Sequence, residues 1–218
     1  TRPVLEKAQA LTAIELDRDL VELLRHDPFL KGLNIIEADA LKVDFSAMSH
    51  GGDLRVFGNL PYNITSPIIF HLLEQTGIKD MHFMLQKEVV ERLCAGPDSR
   101  DYGRLTVMVQ YQAEVIPMLI VPPSAFRPAP KVTSAVVRLV PKSLTAAQRE
   151  LIDLLNQITT AAFSARRKTI RNSLGKFFSE AVLEQLGLNL TLRAENIAVS
   201  KFAELAQFLK QRQTMQLV

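Results

Sequence analysis

Three apolar runs, each ending in an acid or an amide, punctuate the first part of the chain: "LTAIELD", "LNIIEAD" and "LRVFGN". Segments of helical periodicity lie around them, "RPVLEKAQA" with Pro3 near its first turn and "RDLVELLRH". Short strands alternating with amphipathic helices leave few architectures open, because each helix must cover the sheet it connects. The alternation continues. Ser66 and Pro67 read as cap and first turn of "PIIFHLLEQTG", with Gly77 near its end. "MHFMLQ" is a fourth strand, and "KEVVERLCAG" and "GRLTVMVQYQA" are helical. "EVIPMLIV" and "SAVVRLV" flank a proline-rich loop too short for a crossover helix, which predicts an antiparallel pair. The reading is an α/β layer fold with a mostly parallel, Rossmann-like sheet over residues 1–141.

Beyond Pro141 the pattern changes. "TAAQRELIDLLNQITTAAF", "RRKTIRNSLGKFF", "SEAVLEQLG" and "VSKFAELAQFLKQRQ" all read as helices, so residues 142–218 form a small all-helical domain. Charge divides at the same place. Residues 1–141 hold 15 Lys/Arg against 17 Asp/Glu, whereas residues 142–218 hold 11 against 6. The positive excess points to an anionic partner for the last third, although a solvated helical tail has the same composition.

Composition excludes several classes. An apolar fraction of 47% with 22% charged residues is that of a globular protein with a sizeable core. There is no apolar run long enough to span a membrane and no secretion signal, so a cytoplasmic protein is expected. A single cysteine, Cys94, cannot form an internal disulfide and reads as a buried, inert thiol. Four scattered histidines, His26, His50, His71 and His82, have no ligand spacing, and no metal is expected.

Open α/β sheets bind ligands at the carboxyl ends of their strands. Glu15, Asp39 and Asn59 stand at three such ends and are expected along one edge of the sheet. An acid at one strand end suits ribose hydroxyls, and an acid at the next suits an adenine amino group. The bland alternative is that strands turn polar where they enter solvent. A glycine-rich turn ordinarily precedes the ribose acid by about 20 residues. Counting back from Glu15 passes Thr1, no G-x-G-x-x-G occurs, and Gly51-Gly52 lies in a polar loop that follows no strand. The first strand and glycine loop of such a sheet are therefore expected to be missing from this chain. A sheet opening at "LTAIELD" would expose an edge meant to be central.

The stretch "FGNLPYNITSPIIF" carries the chemistry. The exocyclic amine of adenine is a poor nucleophile, because its lone pair is spread into the ring. Two acceptors on its N–H groups favour the tetrahedral, positively charged nitrogen of methyl transfer. The Asn59 side chain supplies one acceptor and a backbone carbonyl beside Pro61 the other. Tyr62 offers a stacking face for an extruded base. A plain turn is the competing reading, since Asn and Pro are common in turns.

"NLPYNITSPIIFHLL" resembles the catalytic motif of the ribosomal RNA adenine N6-dimethyltransferase family. "IELD", "EADAL", "MLQKEVVERL", "YGRLTVMVQY", "VPPSAFRPAPKVTSAVVRL" and "RRKTIRNSL" are similar to further motifs of that family, in order and over essentially the entire chain. The resemblance implies S-adenosyl-L-methionine as cofactor, with Glu15 and Leu16 at its ribose, Asp39 and Ala40 at its adenine, and Asn59 touching it as well. It implies a target-base site of Asn59, Leu60, Pro61 and Tyr62, with Phe126 as a second aromatic. It also implies a substrate, two adjacent adenosines in a hairpin loop near the 3′ end of 16S rRNA, free or in the assembling small ribosomal subunit, with the protein expected to act as a monomer. The alternatives are a 23S rRNA dimethylase of the macrolide-resistance type and a non-catalytic RNA-binding assembly factor of the same shape.

Side-chain chemistry extends the site. Phe126 sits among prolines on a stiff loop suited to presenting a ring, or it anchors that loop in the core. Arg166, Arg167, Lys168 and Arg171 cluster, and helical spacing puts Arg167 or Lys168 on one face with Arg171. Guanidinium forks suit phosphates. Arg104 and Lys131 are further candidates for RNA contact. Lys87 faces either RNA or Glu91 at i,i+4.

Overall fold

The computed structural model describes residues 1–49 and 53–215. His50 and the Gly51-Gly52 loop lie outside the described residues. The chain divides into two compact units, Thr1–Gly52 with Pro67–Gly77, and Asp53–Ser66 with Ile78–Val218.

The first unit opens with α1 (Arg2–Ala8), β1 (Leu11–Glu15), α2 (Arg18–His26), β2 (Leu33–Glu37) and α3 (Phe45–Met48), and takes in most of α4 (Thr65–Glu74). The Asp17 carboxylate caps α2, accepting from the Asp19 and Leu20 amides. Asp19 in its first turn and Arg25 and His26 in its last complement the helix dipole. Gly32 has φ +92°, a left-handed turn into β2 that a side chain would strain. β1 and β2 pair in parallel from Leu11↔Leu33 to Glu15↔Glu37. Side chains tie α4 to the α3 segment. Gln75 Oε1 accepts from the Ser46 amide and hydroxyl, and the His71 ring lies 2.8 Å from the Val43 carbonyl.

α4 begins one residue earlier than the expected Ser66 cap. A 3-10 turn over Tyr62–Ile64 runs straight into it at Thr65, so Ser66 and Pro67 sit inside the first turn. Proline is tolerated there because its missing N–H has no partner in the helix.

The second unit is built on β3 (Leu54–Asn59), β4 (Ile78–Gln86), β5 (Ala113–Val121) and β6 (Ser134–Pro141), in the order β3-β4-β6-β5. β3 and β4 are parallel, while β6 runs antiparallel to both neighbours, as the short β5–β6 connection requires. Side chains alternate across β4. Met81, Phe83 and Leu85 are buried on one face with Val137 and Leu139 of β6. α5 (Lys87–Cys94) packs on this sheet, and α6 (Arg104–Gln112) packs on α5. On the opposite face Asp80 is fully buried, and Arg138 donates to its Oδ2 from Nη2 at 2.8 Å and Nε at 3.2 Å.

The strands thus form two ladders, β1-β2 and the four-stranded sheet, rather than one. The difference lies in hydrogen bonding. β1 bonds only to β2 and β3 only to β4 among the described residues, so no ladder carries Glu15 and Asp39 across to Asn59.

Past β6 the described chain is helical: α7 (Ala146–Arg149), α8 (Ile152–Ala162), α9 (Ile170–Leu174), α10 (Glu180–Gln185) and α11 (Val199–Met215). α8 and α11 pack on each other and on α6, burying Leu155, Ile158, Phe202 and Leu205. The expected helix over "RRKTIRNSL" forms only from Ile170. Thr169 is extended and bridges Arg193, and the Ile170 amide donates to the Leu192 carbonyl at 2.8 Å. That tertiary pairing holds the preceding residues as a turn.

No helix among the described residues is long and apolar enough to cross a membrane. Cys94 is half-buried, and desolvation pushes its thiol pKa up, which keeps it protonated and unreactive.

Candidate active site

The β1-β2 pair delivers two carboxylates to neighbouring strand ends. Glu15 closes β1, and its Oε1 accepts from the Leu16 amide at 2.9 Å and the Asp17 amide at 3.0 Å. Its carbonyl accepts from Ala38, which fixes the chain just ahead of Asp39. Asp39 caps a 3-10 turn over Ala40–Lys42, its Oδ1 accepting from the Leu41 amide. Each acid thus has one oxygen spent on orienting itself. The other has no protein donor among the described residues. Two pre-oriented acceptors on adjacent strand ends fit the hydroxyls and amine of a nucleoside. Leu16, 64% exposed, offers apolar surface beside Glu15.

At the end of β3, Asn59 pairs with Met84, and the Leu60 amide still donates to the Met84 carbonyl at 3.3 Å. The chain then leaves the sheet through Pro61, whose φ is −58°. The Pro61 carbonyl accepts from the Ile64 amide and the Thr65 hydroxyl, both at 3.2 Å, so the turn consumes it. The Leu60 carbonyl and the Asn59 amide group have no hydrogen-bond partner among the described residues. Of the two carbonyls beside the proline ring, Leu60's is the one left to accept from a ligand. Tyr62 is 56% exposed and its hydroxyl has no hydrogen-bond partner among the described residues, so its ring is open to a base.

Phe126 follows a 3-10 turn over Pro123–Ala125 and is half-buried, with its amide donating to the Pro123 carbonyl. Register puts its loop at the same end of the sheet as Asn59. Asn59 pairs with Met84, Met84 with Val136, and Ser134 with both Gln86 and Val121. β3 and β5 stand three strand spacings apart, about 14 Å. The loop between Val121 and Ser134 is long enough to cover that distance.

The basic residues separate into groups. Arg104 opens α6 and donates to the Asn156 side chain, and Arg166 donates to the Arg100 carbonyl at 2.6 Å. Arg167, Lys168 and Lys131 are exposed. Arg171 sits on α9 and pairs with Glu180 at 2.8 Å, away from the turn that holds Arg166 to Lys168. Lys87 pairs with Glu91 at 3.0 Å, as its i,i+4 spacing allows. Sequence reading missed Arg92 and Arg100. They line a groove of about 670 Å³ with Arg104, Arg166 and Lys168. Their separation along the chain hides this, though the run of Arg100 and Arg104 around Tyr102-Gly103 hints at it.

Known proteins bear on this site. Residues 1–211 match the family model described as ribosomal RNA adenine dimethylase. The chain is 56% identical over 215 residues to Ribosomal RNA small subunit methyltransferase A of Citrobacter koseri, covering 97% of this chain and 79% of that one. It is 54% identical over 217 residues to the protein of the same name from Haemophilus ducreyi, covering 96% and 75%. Among solved structures, a dimethyladenosine transferase from Plasmodium falciparum superposes with a TM-score of 0.72 at 26% identity, covering 94% and 82%. The 23S rRNA methyltransferase ErmE superposes with a TM-score of 0.67 at 25% identity, covering 93% and 83%. With a family model matched over nearly its whole length and a strand end that presents free acceptors beside an open aromatic ring, the chain belongs to the ribosomal RNA adenine dimethylase family.

Proposed function

We propose that this protein dimethylates the N6 amine of two adjacent adenosines in a hairpin loop near the 3′ end of 16S rRNA, on the assembling small ribosomal subunit. The observation that carries the reading is the unpartnered Asn59 amide next to the unpartnered Leu60 carbonyl, with Tyr62 exposed beside them. The high identity to relatives named small subunit methyltransferases favours that RNA over the large-subunit RNA.

S-adenosyl-L-methionine, when bound, supplies an electrophilic methyl group on a sulfonium. Glu15 with Leu16 would hold its ribose, and Asp39 with Ala40 its adenine. Asn59 Oδ1 and the Leu60 carbonyl accept the two hydrogens of the target amine. They draw its lone pair out of conjugation and stabilise the positive charge that develops on nitrogen. Tyr62 and Phe126 hold the extruded base by its faces. The new N–C bond would form as the methyl's bond to the sulfonium sulfur breaks, leaving a neutral thioether, and an amine hydrogen would then leave as a proton, so no strong base is needed. Residues 1–141 carry the chemistry, and residues 142–218 position RNA through Arg166, Arg167, Lys168 and Arg171, aided by Arg104 and Lys131.

Mapping N6-methylated adenosines in ribosomal RNA reacted with the protein and cofactor tests this reading. Two adjacent dimethyladenosines in 16S rRNA are expected. Modification confined to 23S rRNA would transfer the protein to the large-subunit reaction.

A further inference from the structure

We propose that Gln86 contacts the target base: its side-chain amide donates to a ring nitrogen beside the reacting amine and holds the adenine in place through the second methyl transfer. The proposal rests on the reading of the chain as an adenine N6-dimethyltransferase and assigns a further substrate-contacting residue to that reaction.

Register is the first argument. β3 stops pairing at Asn59↔Met84, whereas β4 runs on to Gln86, which pairs with Ser134 of β6. Gln86 thus has no ladder partner on the β3 side among the described residues, where the chain turns out of the sheet through Pro61. Side chains alternate along β4. Met81, Phe83 and Leu85 are buried on one face, which puts Met84 and Gln86 on the other. Asn59 is in register with Met84 and shares that face. One strand spacing across and two residues along separate Asn59 from Gln86, about 8 Å between Cα atoms. The order β3-β4-β6-β5 also sets Gln86 between Asn59 and the loop that carries Phe126. A base held at Asn59 and flanked by Tyr62 and Phe126 lies within reach of the Gln86 amide.

Availability is the second. Gln86 is the N-cap residue of α5 yet makes no capping bond, and its side chain has no hydrogen-bond partner among the described residues. Glutamine is not among the residues that cap well, so helix initiation does not account for it. The residue is half-buried, which narrows the directions its amide can take. The neighbouring Lys87 is engaged with Glu91 at 3.0 Å, which leaves a neutral donor at this strand end.

The chemistry of the base calls for such a donor. Asn59 Oδ1 and the Leu60 carbonyl are acceptors and serve only the amine hydrogens. The two ring nitrogens beside that amine are acceptors themselves, and desolvating one without a donor costs affinity. A glutamine amide pairs well with this edge of adenine. The consequence falls on the second transfer. Each transfer forms an N–C bond, breaks the methyl–sulfur bond and releases one proton from the amine. The first therefore leaves a single N–H for two acceptors. The ring nitrogens are untouched, so a bond to one of them orients the monomethylated base as it did the unmodified one.

Time courses of 16S rRNA methylation in small subunits test this, with monomethyl- and dimethyladenosine separated after digestion. Gln86→Leu nearly keeps the volume and removes both polar atoms, while Gln86→Glu keeps an acceptor and removes the donor. Both should melt with the parent and slow the first transfer about tenfold, the scale of one hydrogen bond. Each should slow the second further, so that monomethyladenosine accumulates. Equal slowing of both transfers would overturn the hold on the second. Rebuilding the 3′ segment of the rRNA with 1-deazaadenosine or 7-deazaadenosine at the target removes the flanking ring nitrogens one at a time. One analogue should cost the parent about as much as Gln86→Leu does, and should cost that variant nothing more. Losses that add in full with both analogues, or a variant with the parental time course, would overturn the contact. Should Gln86→Leu fail to fold, Gln86→Glu carries the same comparison. A parent that leaves unmodified rRNA unmethylated would sink the methyltransferase reading and this contact with it, whereas additive losses under an active parent sink the contact alone.

Discussion

The Tyr102 hydroxyl donates to the Ile197 carbonyl at 2.7 Å, joining residues 95 positions apart in the chain. Tyr102 is 4% exposed, and its ring packs on Phe163. The bond clasps the loop after α5 to the segment before α11.

Stability should report this clasp through pH. Burial pushes the Tyr102 hydroxyl pKa up, so in the folded protein it resists ionisation. An acid whose folded pKa lies above its unfolded value contributes fully below the unfolded pKa, about 10 for a phenol. That contribution is lost as pH rises past it. Burial shifts Tyr111 in the same direction. Tyr102→Phe should cost about 1–2 kcal/mol near neutral pH, since it leaves a buried carbonyl without its donor. It should also flatten the alkaline fall in melting temperature. A variant whose stability drops as steeply as the parent's above pH ~10 would show that this hydroxyl is not the titrating group.

Methyl transfer should depend on the Asn59 amide. The Asn59 side chain is exposed and makes no protein hydrogen bond among the described residues, so Asn59→Ala removes no side-chain bond there and should change stability by less than about 0.5 kcal/mol. Turnover of labelled cofactor into rRNA should fall roughly 10²-fold or more, the scale for losing one preorganised acceptor. RNA affinity should be retained. Turnover near the parental value would remove Asn59 from the mechanism.

Tyr62 should act through its ring. Its hydroxyl has no partner among the described residues and the side chain is 56% exposed. Tyr62→Phe should therefore methylate RNA at close to the parental rate. Tyr62→Ala should lose about 1–3 kcal/mol of base stacking, read as a drop of one to two orders of magnitude in kcat/KM for RNA. Equal loss in both variants would assign the role to the hydroxyl.

Much of this protein is legible along the chain, because its signals are local. The Asp17 cap of α2, the alternation of burial along β4 and the antiparallel return of β6 on β5 each follow from a few consecutive residues. The polar strand ends at Glu15, Asp39 and Asn59 were readable for the same reason. The turn at Arg166 to Lys168 was not. Helical spacing favoured a helix, but the Thr169–Arg193 bridge, made with residues far along the chain, overrides it. The division of the strands into two ladders likewise depends on which edges bond, and periodicity does not reveal that.

The amino-acid order alone determined the strand-and-helix alternation, the acids at strand ends, and the amide, proline and phenol of the proposed base site. Only the folded structure decided that the Leu60 carbonyl rather than Pro61's is left without a partner among the described residues, because the competing donors, Ile64 and Thr65, reach Pro61 through the geometry of the turn. It also decided that Arg92, Arg100 and Arg166 share one groove. Caps and periodicity are properties of neighbouring residues, whereas a spent acceptor and a convergent charge exist only once distant parts of the chain have met.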